Sequence, residues 1–124
     1  MSLFSRFSRD TRRVSVGEAH RRTHSDDAPA VLLDVRERGE WNAGRAPGAV
    51  YAPLSALTAG SVLPQAAQGR PLVVICRSGN RSRKAAELLT ARGEDAVDVR
   101  GGMTAWADAG YPVVDAHGHR GSVA

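Results

Sequence analysis

The chain has 124 residues and a formal net charge of +4; 42% of its residues are hydrophobic and 24% are charged. This length suffices for one domain with a buried core, and no apolar stretch approaches the roughly 20 residues that a transmembrane helix needs. The basic residues are scattered among acidic ones and lack an aromatic platform, which argues against a nucleic-acid partner. We therefore expect a cytoplasmic protein without stable membrane insertion.

Residues 1–13 are basic and rich in serine, and they include Phe4 and Phe7. They lack the continuous apolar segment and the small-residue cleavage site of a secretory signal. This composition predicts a disordered basic leader in front of a domain that spans 14–114. Weak contact with a membrane surface or a partner is the alternative, because the two phenylalanines could share one face of a helix.

Short apolar runs alternate with helix-like segments along the rest of the chain. The run 31–35 is apolar almost throughout, which is typical of a strand that is covered on both faces. The predicted strands are 14–16, 31–35, 49–52, 71–76 and 96–99. The predicted helices are 17–24, 36–43, 54–67, a segment capped by Asn80 or Ser82 that stops at Gly93, and 103–109. This order predicts an α/β fold whose central, mostly parallel sheet has about five short strands and is flanked by helices on both faces.

Two histidine pairs are candidate metal ligands. His20 and His24 are four residues apart, but arginines flank them on a polar helix, which favours a solvated face. His117 and His119 lie in the polar, glycine-containing segment 115–124, for which we predict a flexible tail. Neither pair is accompanied in sequence by a carboxylate or cysteine in ligand spacing, so we predict no metal.

Cys76 is the only cysteine, so the chain cannot form an intramolecular disulfide. It ends the apolar strand 71–76 and is followed by a helix. Backbone N–H groups and the positive end of a helix favour an anion at such a place, and Arg77 and Arg81 add positive charge. The pattern therefore predicts a reactive thiolate at Cys76, which alkylation at different pH values would test, and not an inert core cysteine.

The loop from Cys76 to Ser82, Cys-Arg-Ser-Gly-Asn-Arg-Ser, resembles the active-site loop of rhodanese-type sulfurtransferases, in which six residues run from Cys to Arg. Related phosphatases have one more residue there, and a shorter ring of amides suits a single sulfur better than a phosphate. Other segments that resemble the family's signatures are 32–37, 40–41, 44–49 and 101–106. Arg45 and Ala46 stand where the family commonly has His and Ile, which we expect to alter only local packing or surface charge.

The resemblance implies that Cys76 takes the outer sulfur of thiosulfate, releases sulfite and carries a covalent persulfide, without a further cofactor. An external thiol, cyanide or a protein would accept the sulfur, because a second cysteine is lacking. Arg77 would attract the small anionic donor, and Arg81 would either do the same or turn inward to a carboxylate. The residues implied in substrate binding, chiefly through backbone N–H groups, are Arg77, Ser78, Gly79, Asn80, Arg81 and Ser82.

Supporting roles fall to Asp34 and Arg36, which we expect to order the site through ion pairs; acid–base catalysis by Asp34 is the alternative. Trp41 and Trp106 are expected to pack in the core or at its rim. Two other functions stay open: a sulfur-relay or binding module for a protein partner, and a Cys-dependent phosphatase or arsenate reductase. The four-residue gap between Cys76 and Arg81 disfavours both the phosphatase and the arsenate reductase. The lack of a second cysteine further disfavours the arsenate reductase.

Overall fold

The computed structural model describes residues 12–124, in which short strands alternate with helices. The predicted leader lies outside the described residues except for Arg12 and Arg13. The strands are β1 (Arg13–Val14), β2 (Val31–Asp34), β3 (Val50–Tyr51), β4 (Leu72–Ile75) and β5 (Ala96–Val99). The helices are α1 (Val16–His24), α2 (Arg38–Ala43), α3 (Leu54–Thr58), α4 (Asn80–Ala91) and α5 (Gly102–Asp108), with a short 3₁₀ helix at Gln65–Ala67. Within the described part of the chain, none of the helices has the length and apolar character needed to cross a membrane.

The five strands form one sheet in the order β1-β5-β4-β2-β3, and every neighbouring pair is parallel. All residues of β2 and β4 are buried, as their nearly continuous apolar runs predict. These two strands pair over their whole length, and the amide of Val35 donates to the carbonyl of Ile75 at 3.0 Å. The residues that follow β2 and β4 therefore meet at the carboxyl edge of the sheet, where ligands bind in such folds.

Two apolar clusters, one on each face of the sheet, form the core. Alternate residues of β4 belong to different clusters because side chains of a strand point to opposite faces. The first cluster includes Leu57 of α3 and Leu89 of α4, and the second includes Ala19 of α1 and Trp106 of α5. The predicted α/β fold, with a parallel five-stranded sheet and helices on both faces, is confirmed.

The boundaries of the first strand and of the third helix were predicted wrongly. The hydroxyl of Ser15 accepts from the amide of Glu18 and caps α1, so the predicted strand 14–16 is replaced by β1, one residue earlier. The predicted helix 54–67 stops at Thr58, because Gly60 adopts a φ of 99°. Only the 3₁₀ helix after Pro64 follows in this segment.

Helix ends were predicted with mixed success. Gly93 stops α4 as predicted, with a φ of 90° and its amide donating to the carbonyl of Thr90. The predicted side-chain cap at Asn80 or Ser82 is wrong, since Gly79 precedes the helix in the left-handed region. The second helix starts at Arg38, two residues later than predicted, because Glu37 forms a capping box with the residue at the third helical position.

The segment 115–124, predicted as a flexible tail, folds back onto the domain. The Asp115 carboxylate accepts from the amides of His117 and His119, and these bonds lower the pKa of Asp115. The chain then turns, and the amide of Ser122 donates to the carbonyl of Ala43 at 3.0 Å. The return is possible because glycines leave room for close backbone approach: a Cβ on Gly44 would lie 2.7 Å from the Ser122 nitrogen.

The predicted solvated face of α1 is wrong. The ring of His20 stacks on Tyr111, with centroids 4.3 Å apart, and both His20 and His24 lie against the buried ring of Trp106. Burial lowers the pKa of His20, and the neighbouring His24 lowers it further. The two histidines thus pack as aromatic groups over the core, while Trp41 packs at the rim.

Candidate active site

Cys76 follows β4 directly and is buried, with 1% of its surface exposed. Its Sγ accepts a hydrogen bond from the amide of Gly79 at 3.1 Å. The φ of Gly79 is 111°, a left-handed conformation that glycine adopts without steric cost. Because α4 begins at the next residue, Asn80, its positive end lies beside the sulfur and favours an anion there.

The first turn of α5 holds the loop from the opposite side. The amide of Met103 donates to the carbonyl of Cys76 at 2.7 Å, and the amide of Thr104 donates to that of Arg77 at 3.0 Å. Gly102 makes this approach possible, because a Cβ at that position would lie 2.6 Å from the carbonyl carbon of Arg77. The segment 101–106, expected only as a family signature, therefore also supports the loop that carries the thiol.

Arg81 turns inward and pairs with Glu40 of α2. Its Nη1 and Nη2 donate to the two carboxylate oxygens at 2.6 and 2.7 Å, the bidentate geometry that suits guanidinium and carboxylate. The hydrogen bond to Arg81 holds the pKa of Glu40 below its usual range, and the pKa of Arg81 is raised in turn. This pair ties the start of α4 to α2 and leaves both guanidinium Nη atoms of Arg81 bonded to Glu40.

We expect Glu40→Gln to weaken the protein in a pH-dependent way. The pKa of Glu40 is depressed in the folded state, so its pair with Arg81 contributes stability above the carboxyl's unfolded pKa and loses it as pH falls through the folded pKa. Chemical denaturation should therefore show a difference on the order of 1 kcal/mol at neutral pH. The difference between variant and native protein should vanish in acid; a difference independent of pH would contradict this assignment.

Asp34 and Arg36 form a fully buried ion pair behind the loop. Arg36 donates from Nε to Asp34 Oδ1 at 2.9 Å and from Nη2 to Oδ2 at 2.8 Å, and Nη2 also reaches the carbonyl of Gly44 at 2.6 Å. Arg36 Nη1 is the buried side-chain polar atom without a protein partner in the described residues. Within the described residues, every hydrogen bond that the Asp34 carboxylate accepts comes from Arg36. This arrangement fits a role in ordering the site.

A second buried network, which the sequence did not predict, links the thiol to β5 and β1. Cys76 Sγ lies 3.4 Å from Ser82 Oγ, which lies 3.1 Å from Asp98 Oδ2, and Asp98 pairs with Arg13. Arg13 was assigned to the leader, but it belongs to β1 and is the register partner of Asp98. A signal for Asp98 was present, since a lone carboxylate in the apolar strand 96–99 must be paired when it is buried.

The remaining predicted residues lie at the surface of the loop. The side chains of Arg77, Ser78 and Asn80 are exposed around the buried thiol. Arg45 stacks its guanidinium over the ring of Trp41 at 4.4 Å, which is a local packing role for a residue that departs from the family's pattern. The structure thus brings the loop, Asp34 and Arg36 to one edge of the sheet, and adds Arg13 and Asp98.

A buried thiol at a helix N-terminus, beyond the carboxyl end of a central parallel strand, defines a cysteine-based α/β site. A family model described as rhodanese-like domain matches residues 15–109. The chain therefore belongs to the rhodanese-like domain family.

Individual relatives agree with this assignment. The chain is 34% identical over 118 residues to the adenylyltransferase and sulfurtransferase UBA4 of Yarrowia lipolytica, covering 89% of this chain and 30% of that protein. It superposes on a rhodanese-related protein from Thermoplasma volcanium with a TM-score of 0.70 and 32% identity, covering 82% and 96% of the two chains. RPA3614 of Rhodopseudomonas palustris, described as of unknown function and a possible tyrosine phosphatase, gives a TM-score of 0.70 at 26% identity, covering 82% and 83%. The chain thus spans about a third of the length of this curated relative, so the relative's full activity does not transfer to this chain.

Proposed function

We propose that this protein is a cytoplasmic sulfurtransferase that moves a sulfane sulfur from thiosulfate, or another small anionic donor, to a thiophilic acceptor through a persulfide on Cys76. The observation that carries the proposal is the hydrogen bond from the Gly79 amide to Cys76 Sγ at the start of α4. That geometry stabilises negative charge on sulfur, which is what a sulfur nucleophile and a persulfide both require.

The reaction divides into two displacements at sulfur. In the first, the Cys76 thiolate attacks the outer sulfur of thiosulfate, the S–S bond of the donor breaks, and sulfite leaves with the bonding pair. In the second, a thiolate or cyanide attacks the outer sulfur of the persulfide, and the bonding pair returns to Cys76 as a thiolate. Charge balances in each step and no external oxidant is needed, which is the ping-pong form of covalent catalysis.

Binding of the donor would use the exposed rim and the backbone of the loop. Arg77 is exposed and is free to meet an anion at the loop mouth, whereas Arg81 is held by Glu40. The backbone amides of the loop would hold the outer sulfur as it becomes negative, in the manner of an oxyanion hole. Arg77 would therefore attract the anionic donor, and Arg81 would maintain the geometry of the loop.

The decisive test compares the native protein with Cys76→Ser. The native protein should form thiocyanate from thiosulfate and cyanide, and mass spectrometry after thiosulfate treatment should show one added sulfur atom on Cys76. Cys76→Ser should lose both signals, because a serine hydroxyl does not form the persulfide. Arg92→Gln, which alters a surface arginine of the helix end away from the thiol, serves as the matched control. Absence of both signals in the native protein would refute the assignment.

A relay domain with a protein acceptor is the second candidate. Its support is the deep burial of Cys76, with 1% exposure, and the name of the Yarrowia relative, which couples a sulfurtransferase with an adenylyltransferase. Persulfide-loaded protein that discharges slowly to cyanide, yet rapidly to a protein thiol, would favour it. A phosphatase is tested in the same series with p-nitrophenyl phosphate, which we expect to be a non-substrate.

A further inference from the structure

The buried network behind Cys76 connects the thiol to the first strand of the domain. Asp98 is 2% exposed and accepts from Arg13 Nε and Nη2, both at 3.1 Å. The same Arg13 Nη2 donates to the carbonyl of Gly79 at 3.1 Å, and Gly79 in turn donates its amide to Cys76 Sγ. One guanidinium therefore fixes both the carboxylate behind Ser82 and the peptide that faces the sulfur.

Ser82 has one hydroxyl proton and two acceptors within reach. In the structure it donates to Asp98 Oδ2, and its oxygen faces Cys76 Sγ at 3.4 Å, the arrangement expected while the thiol keeps its own proton. A thiolate at Cys76 would face an oxygen lone pair in that arrangement, which is repulsive. The hydroxyl must then turn and donate to sulfur, and this leaves Asp98 without one of its three donors.

Arg13 lowers the free-energy cost of turning the Ser82 hydroxyl from Asp98 to Cys76. A buried carboxylate that loses a hydrogen bond costs free energy unless other donors remain. Asp98 keeps two N–H bonds from Arg13 when Ser82 turns away, so the carboxylate stays paired. Without Arg13, Asp98 would compete for the Ser82 proton more strongly than the thiolate does.

We propose that Asp98 and Arg13 are positioning residues that set the direction of the Ser82 hydroxyl, which donates to Cys76 Sγ whenever that sulfur is a thiolate. The proposal rests on the proposed sulfur transfer. When an acceptor removes the outer sulfur, the bonding pair returns to Sγ and the hydroxyl turns to it. When Sγ forms the next S–S bond, the charge moves to the outer sulfur and the hydroxyl returns to Asp98.

The test measures the rate of Cys76 alkylation by iodoacetamide at one neutral pH, which needs no sulfur donor and therefore stands even if thiosulfate proves not to be a substrate. Arg13→Gln should lower the rate about tenfold, the effect of one hydrogen bond to a charged group. Asp98→Asn should raise it several-fold, because the competitor for the hydroxyl loses its charge. The double variant should return close to the native rate, and Arg13→Lys should lie between Arg13→Gln and the native protein, since a lysine keeps the charge but not the fork of donors.

The other charges that face the loop stay constant across these variants: Arg77, the Arg81–Glu40 pair and the Asp34–Arg36 pair. Arg22→Gln on α1 controls for loss of an arginine elsewhere, and thermal unfolding shows which variants fold. If Arg13→Gln does not fold, the alkylation rate of Asp98→Asn must still exceed the rates of the native protein and of the double variant. Equal losses in both single variants would indicate general loosening and overturn the proposal, as would changes under twofold.

A second comparison isolates the hydroxyl. Asp98→Asn should accelerate alkylation less in a Ser82→Ala background than in the native one, because the group that it releases is then missing. An equal acceleration in the two backgrounds would assign the effect to charge acting through space and would overturn the role given to Ser82.

Discussion

Gly102→Ala should disable the loop that carries Cys76 while leaving most of the sheet intact. Gly102 has a φ of 57°, and a Cβ there would lie 2.6 Å from the carbonyl carbon and oxygen of Arg77. Backbone atoms cannot move aside as a flexible side chain would, so α5 and the loop must separate. We expect a loss of about 2–5 kcal/mol from left-handed strain and overpacking together. Displacement of the thiol by about 1 Å would lower sulfur transfer roughly a hundredfold.

Thermal unfolding and thiocyanate production measure the two effects of Gly102→Ala separately. The matched control is Gly39→Ala in α2, where a Cβ meets nothing within 4 Å. Alanine is the better helix former, so Gly39→Ala should be neutral or slightly stabilising. A Gly102→Ala variant with native activity would show that the contacts of Met103 and Thr104 with the loop do not position Cys76.

The features predictable from sequence were those in which a local pattern and the final fold agree. Continuous apolar runs predicted β2 and β4, and Gly93 predicted where α4 ends. The loop from Cys76 to Ser82 could be placed because a strand and a helix flank it directly. The prediction of one helix over 54–67 failed because it ran through Gly60 and Pro64, the two residues at which the structure interrupts this segment.

The parts that could not be predicted depend on contacts between distant segments. Arg13 and Asp98 are 85 residues apart, and only the pairing of β1 with β5 makes them neighbours. The partner of Arg81 is Glu40, 41 residues away, and the sequence does not show which carboxylate an inward-turned arginine would meet. The backbone bond from Ser122 to Ala43 and the close approach at Gly44 are further contacts between distant segments, and the polar composition of 115–124 does not indicate them.

Asp34→Asn should be among the most destabilising single substitutions in the protein. Asp34 and Arg36 are both fully buried, and the near-isosteric asparagine removes the charge while leaving the guanidinium in place. Removing one partner of a buried pair costs about 3–5 kcal/mol, because the remaining charge lacks both water and counter-charge. That is a large fraction of the roughly 5–15 kcal/mol that stabilises a domain. Chemical denaturation measures the loss directly.

A double variant, Asp34→Asn with Arg36→Met, separates the cost of an unpaired charge from the worth of the pair. If the cost lies in the unpaired guanidinium, removing it should recover much of the stability that Asp34→Asn loses. Recovery should be incomplete, since Arg36 also bonds the carbonyl of Gly44 at the end of α2. Glu18→Gln, which removes the two exposed ion pairs with Arg21 and Arg22 on α1, should change stability little. A double variant no more stable than Asp34→Asn would mean that the link from Arg36 to Gly44, and not the burial of charge, dominates at this edge of the sheet.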